Sequence, residues 1–119
     1  MEQSILISIK KLLGIDRSCV DFDADIIMHI NTTLMILNQL GIGKKDFQIE
    51  DDSSEWNDFL EDKTNLNAVK SYIHLKVKLM FDPPINSAIM EAIKESIREL
   101  EWRLNANAEY EEDEDKEEV

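Results

Sequence analysis

The sequence predicts an all-α fold: a compact bundle of about five helices followed by a disordered acidic C-terminal tail. Three observations lead there. Apolar residues recur at the spacing of one helix face along most of the chain. The three glycines and two prolines fall only where that pattern breaks, so they punctuate helices and do not build a sheet. Charge divides the chain into a helical domain over residues 1–108 and a tail over 109–119. The 119 residues suit one domain, and 43% apolar against 33% charged residues is a globular balance.

The first helix, about Ser4 to Leu13, gathers Ile5, Ile9, Leu12 and Leu13 on one side and stops at Gly14. A second begins after Asp21, read as its N-cap; its stripe of Ile26, Ile30, Leu34, Leu37 and Leu40 lies within roughly 80° of arc, and it ends at Gly41. Ser53 or Ser54 caps a short third helix carrying Trp56, Phe59 and Leu60. The fourth runs from about Thr64 to Phe81. It has a main stripe of Leu66, Val69, Ile73, Val77 and Met80 and a second apolar side of Leu75 and Leu79, as a central helix must. Asp82-Pro83-Pro84 ends it, because proline donates no backbone hydrogen bond and disfavours helix in the residue before it. Ser87 caps a fifth helix reaching about Asn105, striped by Ile89, Ile93, Ile97, Leu100 and Leu104. The tail EYEEDEDKEEV has eight acids against Lys116 and almost nothing to bury.

With 13 basic and 26 acidic residues the net charge is −13, which argues against a surface built to bind phosphates or anionic lipid. Cys19 is the only cysteine, so an intrachain disulfide and a cysteine-cluster metal site are excluded; a small buried side chain is its expected role. The start, MEQSILISIKKLLG, has an acid at Glu2 and its lysines after the apolar stretch, the reverse of a secretory signal, and no apolar run approaches the ~18 residues of a bilayer span. A protein that stays where it is made is expected.

Catalytic and ligand-binding patterns fail one by one. Asp21, Asp23 and Asp25 occupy positions 1, 3 and 5 of a calcium loop, but Ile26 stands where glycine is needed and Thr32 where a bidentate glutamate is needed. An acidic first helical turn favoured by the dipole explains them. His29 and His74 have no ligand spacing. Gly41-Ile42-Gly43-Lys44-Lys45 lacks the Walker spacing and a preceding strand, and reads as a helix C-cap with a solvated loop. No enzyme activity, cofactor or metal is expected.

Six residues stand out from a plain bundle as candidate interface positions. Met28 and Met35 project opposite the main stripe of the second helix, among Asn31, Thr32 and Gln39. Trp102 stands opposite the stripe of the fifth helix among Glu91, Glu95 and Arg98, a suitable interface anchor. Lys70, His74 and Lys78 form a basic ridge at i, i+4 and i+8, either a solvated face or a docking stripe for an acidic neighbour.

Several segments together carry a family likeness: Ile30-Asn31, Leu37-Asn38-Gln39-Leu40-Gly41, Trp56-Asn57-Asp58-Phe59-Leu60, Val69-Lys70-Ser71-Tyr72-Ile73, Lys78-Leu79-Met80-Phe81-Asp82-Pro83-Pro84 and Glu99-Leu100-Glu101-Trp102-Arg103-Leu104. Over residues 5–105 the chain resembles the head-tail connector proteins of long-tailed bacteriophages, also called adaptor or head-completion proteins. The acidic tail lies outside the likeness. The resemblance implies a small helical subunit in a ring of about twelve copies, docked under the portal protein after DNA packaging. Such a ring extends the DNA channel and carries the next connector, stopper or tail protein. It implies no active site, a place in the virion of a phage or prophage after assembly in the host cytoplasm, DNA passing through without sequence-specific binding, and no membrane.

A ring uses two different patches of each subunit, for which Met28 with Met35, and Trp102, are the candidates. Twelve copies would gather about 150 negative charges around a channel, repelling DNA so that it slides. The alternatives are an acidic DNA-mimic inhibitor or a small helical interaction module. Mimicry needs carboxylates at fixed spacing, and more than half of this charge lies in the tail.

Overall fold

The computed structural model describes the backbone of residues 3–61 and 63–117, with side chains left undescribed at 63, 107 and from 109 onward. Five α-helices form the fold: α1 (Ile5–Leu12), α2 (Asp23–Gln39), the single turn α3 (Trp56–Phe59), α4 (Leu66–Phe81) and α5 (Ser87–Glu117), with a 3₁₀ turn over Lys63–Asn65 leading into α4. No strand occurs among the described residues. One isolated antiparallel bridge pairs Ser4 with Glu55.

α4 is the middle of the bundle: it packs against both α2 and α5, α1 lies across α2 and α4, and the end of α5 also reaches the end of α2, where Ala108 lies against Gly41. This is the central helix that its two apolar sides predicted. Ile26, Ile30, Leu34 and Leu37 of α2 meet Val69, Ile73 and Val77 of α4 in one core that also takes in Ile5, Ile9, Trp56, Ile97 and Leu104. Phe22, ahead of α2, stands edge-on to Phe81 at the end of α4, with ring centroids 5.5 Å apart, so these two helices run antiparallel.

Helix ends depart from the sequence reading in three places, each for a local reason. Phe22, not Asp21, is the N-cap of α2, since a turn bonding the Asp23 N–H to the Val20 carbonyl delays the start. The acidic first turn is as expected, with Asp23 and Asp25 in it. Glu55, not Ser53 or Ser54, is the N-cap of α3: the Ser54 carbonyl is taken by the Ile5 N–H at 3.0 Å, and the Trp56 N–H donates to the Gln3 carbonyl at 3.0 Å. The Asp58 carboxylate accepts from the Glu55 N–H at 2.9 Å. Asn86 caps α5 in place of Ser87, its Oδ1 accepting from the N–H groups of Ala88 and Ile89 at 2.8 and 3.2 Å.

α5 also continues past Asn105 to Glu117. The apolar stripe ends at Leu104, but a helix needs no stripe to propagate, and the alanines and glutamates that follow are strong helix formers with no glycine or proline among them. Ala108 is the last described residue packed on the core. The side chains of the tail expected over 109–119 lie outside the described residues, as does Glu2.

Two connections are fastened by buried polar groups. Lys10 of α1 is only 1% exposed; its Nζ donates to the carbonyls of Arg17 and Cys19 at 3.2 and 2.6 Å and faces the Asp23 carboxylate at 2.9 Å. Cys19 is consequently half-buried in a loop rather than part of the core as its expected role implied. The loop after α2 is held by two asparagines seven positions apart. Asn31 donates to the Ile49 carbonyl at 3.0 Å and accepts from its N–H at 2.8 Å. Asn38 donates to the carbonyls of Ile42 and Lys44 and accepts from the Asp46 N–H at 2.8 Å. Gly43 in this loop has φ +81° and lies flat against Phe59, whose ring a Cβ would overlap.

Candidate interaction surface

The basic ridge is engaged within the chain. The Lys70 ammonium lies 5.3 Å from the centre of the buried Trp56 ring, a cation–π contact. Trp56 is itself anchored by its Nε1–H donating to Ser8 Oγ at 3.0 Å. His74 is half-buried and hydrogen-bonds the backbone of Leu12. Burial, and next the neighbouring Lys78 charge, hold its pKa below the ordinary 6.5, against the opposing effect of that bond. Lys78 pairs with Asp82 at 3.6 Å.

Several residues behind the family likeness turn out to be joints of the bundle. The Tyr72 hydroxyl donates to Glu101 Oε1 at 2.7 Å, and Lys76 approaches the same oxygen at 3.6 Å. Burial first, and then Glu101, push the Tyr72 pKa far above its usual value, so the hydroxyl stays protonated as a donor. This joint fixes α5 on α4.

Met28 and Met35 are 57% and 56% exposed and line an open groove of about 990 Å³ along the outer side of α2. Its other wall is the asparagine-held loop, with Gly43, Lys45, Asp46 and Phe47. The sequence placed these methionines on the polar side of the helix; the loop folding back beside them makes the concavity.

Trp102 is 72% exposed on the outer face of α5. Around it, Arg98 meets Glu95 at 3.3 Å, Lys94 meets Glu91 at 3.6 Å and Arg103 meets Glu99 at 2.7 Å. These pairs neutralise one another locally. The indole is left as the distinctive group of that face.

A third apolar surface includes two residues that the sequence reading assigned to core stripes, Met80 of α4 and Ile89 of α5, which stand exposed because they lie at helix ends beyond the packed core. Ile85 is fully exposed after the proline pair, and Val20, Phe22, Met80 and Ile89 are all exposed beyond one third. The Phe22–Phe81 contact and the short α4–α5 turn bring them to one end of the bundle. For Val20, Phe22 and Ile85, which precede a helix or lie between helices, there was no period to detect.

Among the described residues no three His, Cys, Asp or Glu side chains converge as metal ligands, and no helix is long and apolar enough to cross a membrane. Comparison with curated proteins and with solved structures finds no match. The model of one family, described as phage connector protein, matches residues 5–111 and so takes in α1 to α4 and most of α5. That span covers the residues on which the connector likeness rests, and the chain belongs to the phage connector protein family.

Proposed function

We propose that this chain is the repeating subunit of a ring at the head-tail interface of a phage or prophage, where it docks under the portal, extends the DNA channel and carries the next connector or tail protein. Family membership itself carries a structural connector role within the virion. The observation that supports the ring is the presence of two distinct exposed apolar features on different helices, the Met28 and Met35 groove on α2 and Trp102 on α5, which is not among the groove's lining residues. A closed ring joins unlike patches head to tail, so each subunit needs two. The apolar end around Ile85 and Phe22 then serves contacts along the ring axis. Residues 1–108 form the ring body, and 109–119 an acidic extension.

Native mass spectrometry of the chain, alone and mixed with the portal protein of the same genome, tests this reading. A ring of about twelve copies, or binding at one copy per portal subunit, is the expected result. A monomer in both samples overturns it.

A further inference from the structure

We propose that the acidic end of α5 is a tethered cover for the basic rim of its own chain's groove: carboxylates of residues 109–118 hold Lys44 and Lys45, and have to be displaced before a partner enters the groove from that end. The inference goes beyond the ring reading and does not rest on it, since one chain suffices.

The acidic segment starts at the rim. Ala108 packs at the end of α2, where a Cβ on Gly41 would stand 3.4 Å from that of Ala108, and Gly41 is itself one of the residues lining the groove. From there α5 continues as a helix to Glu117. At 100° per residue, positions 111, 112 and 115 share an arc of about 100° with Leu104 and Ala108, which pack on the core. These positions are Glu111, Glu112 and Asp115. The face of α5 that meets the bundle therefore becomes acidic as soon as the helix passes the end of α2.

The rim offers the opposite charge. Lys44 and Lys45 follow closely on Gly41 and are both exposed, and no carboxylate among the described residues pairs with either. Between Gly41 and Ile49 they are opposed by Asp46 alone, so this loop is net positive in a chain of charge −13. Its backbone is already fixed. The Lys44 N–H donates to the Phe59 carbonyl at 2.8 Å, and the Lys44 carbonyl accepts from Asn38 at 3.2 Å. Little of the ordering cost of a contact falls on the loop.

Tethering selects the chain's own segment over a free one. A segment attached beside its site acts at an effective concentration on the order of millimolar, which an acidic stretch of another molecule has to exceed. Exposed ion pairs are individually weak and screened by salt, so the cover yields to an occupant that also buries Met28 and Met35, both more than half exposed. Charge alone does not open it. The groove thus turns away merely acidic partners and admits those with apolar anchors.

Cross-linking of the full chain with a carbodiimide, which joins a lysine amine to a nearby carboxylate as an amide, tests the contact. Unlabelled and heavy-isotope-labelled chains are mixed before reaction, and the linked peptides are read by mass spectrometry. Links from Lys44 or Lys45 to residues 109–118 are expected within chains of one label. Mixed-label links would assign the segment to the rim of a second copy and overturn the proposal. So would absence of these links in a sample where Lys76 and Glu101, 3.6 Å apart, are joined.

Acylation of the lysines supplies a second readout. Relative to exposed Lys11, Lys44 and Lys45 are expected to react about threefold more slowly at low than at high salt, the effect of a few exposed pairs. The salts are about 0.01 M and 1 M, where the Debye length is about 30 and 3 Å. The full-length variant Glu111→Gln, Glu112→Gln, Asp115→Asn is expected to abolish that difference. Lysines that serve only the negative end of α2 would respond to neither change, and that result overturns the cover while leaving the ring reading untouched.

Discussion

His74 concentrates what a single residue contributes here. From the sequence it was one member of a basic ridge; in the fold it is half-buried between α4 and the end of α1, bonded to the Leu12 backbone. Its folded pKa lies below the unfolded 6.5, so below that pH the unfolded chain takes up a proton before the folded one. Stability from this residue is therefore present above about pH 6.5 and lost as pH falls through the folded value. Urea unfolding at pH 7.5 and 5.5 is expected to show a smaller stability loss between the two for His74→Gln than for the parent. An equal loss in both would mean that the carboxylates alone set the pH dependence. Lys70 teaches the same lesson without titration: its helical spacing was legible, but the ring beneath it belongs to Trp56, in another element.

At the scale of elements, helix spans were legible while their ends were not. Stripes, glycines and the proline pair act through neighbours within four residues, so they locate a helix from sequence alone. Caps depend on which carbonyl or side chain the rest of the fold leaves available, as Ser54 demonstrates by giving its carbonyl to Ile5. The α1–α2 connection is decided by Lys10, a residue that reads as an ordinary solvated lysine. Substitution Lys10→Met keeps the bulk but leaves two carbonyls and the Asp23 carboxylate without their cation. The expected cost is about 3 kcal/mol, seen as a lower urea midpoint. A change below about 0.5 kcal/mol would place the loop's stability elsewhere.

For the whole molecule, charge and packing separate along α5. Contact with the core ends at Ala108 among the described residues, while eight of the 26 acids follow it. Deleting residues 109–119 is expected to shift the thermal midpoint by less than about 4 °C, the effect of roughly 1 kcal/mol in a domain of this size, measured by calorimetry. A larger drop would show that the acidic segment packs on the bundle. The sequence by itself determined the all-α class, the order of five helices, the central place of α4, the helix stop at Asp82-Pro83-Pro84 and the connector likeness. All of these follow from local periodicity and from residue types whose backbone preferences need no partner. It also picked out Met28, Met35 and Trp102 as misfits on polar faces. Only the tertiary structure decided that the methionines floor a groove, that the basic ridge is engaged internally and that Val20, Phe22, Ile85 and Ile89 share one end. Each depends on residues far apart in the chain, as Asn31 and Ile49 are, and such pairings are set by how helices pack rather than by the residues between them.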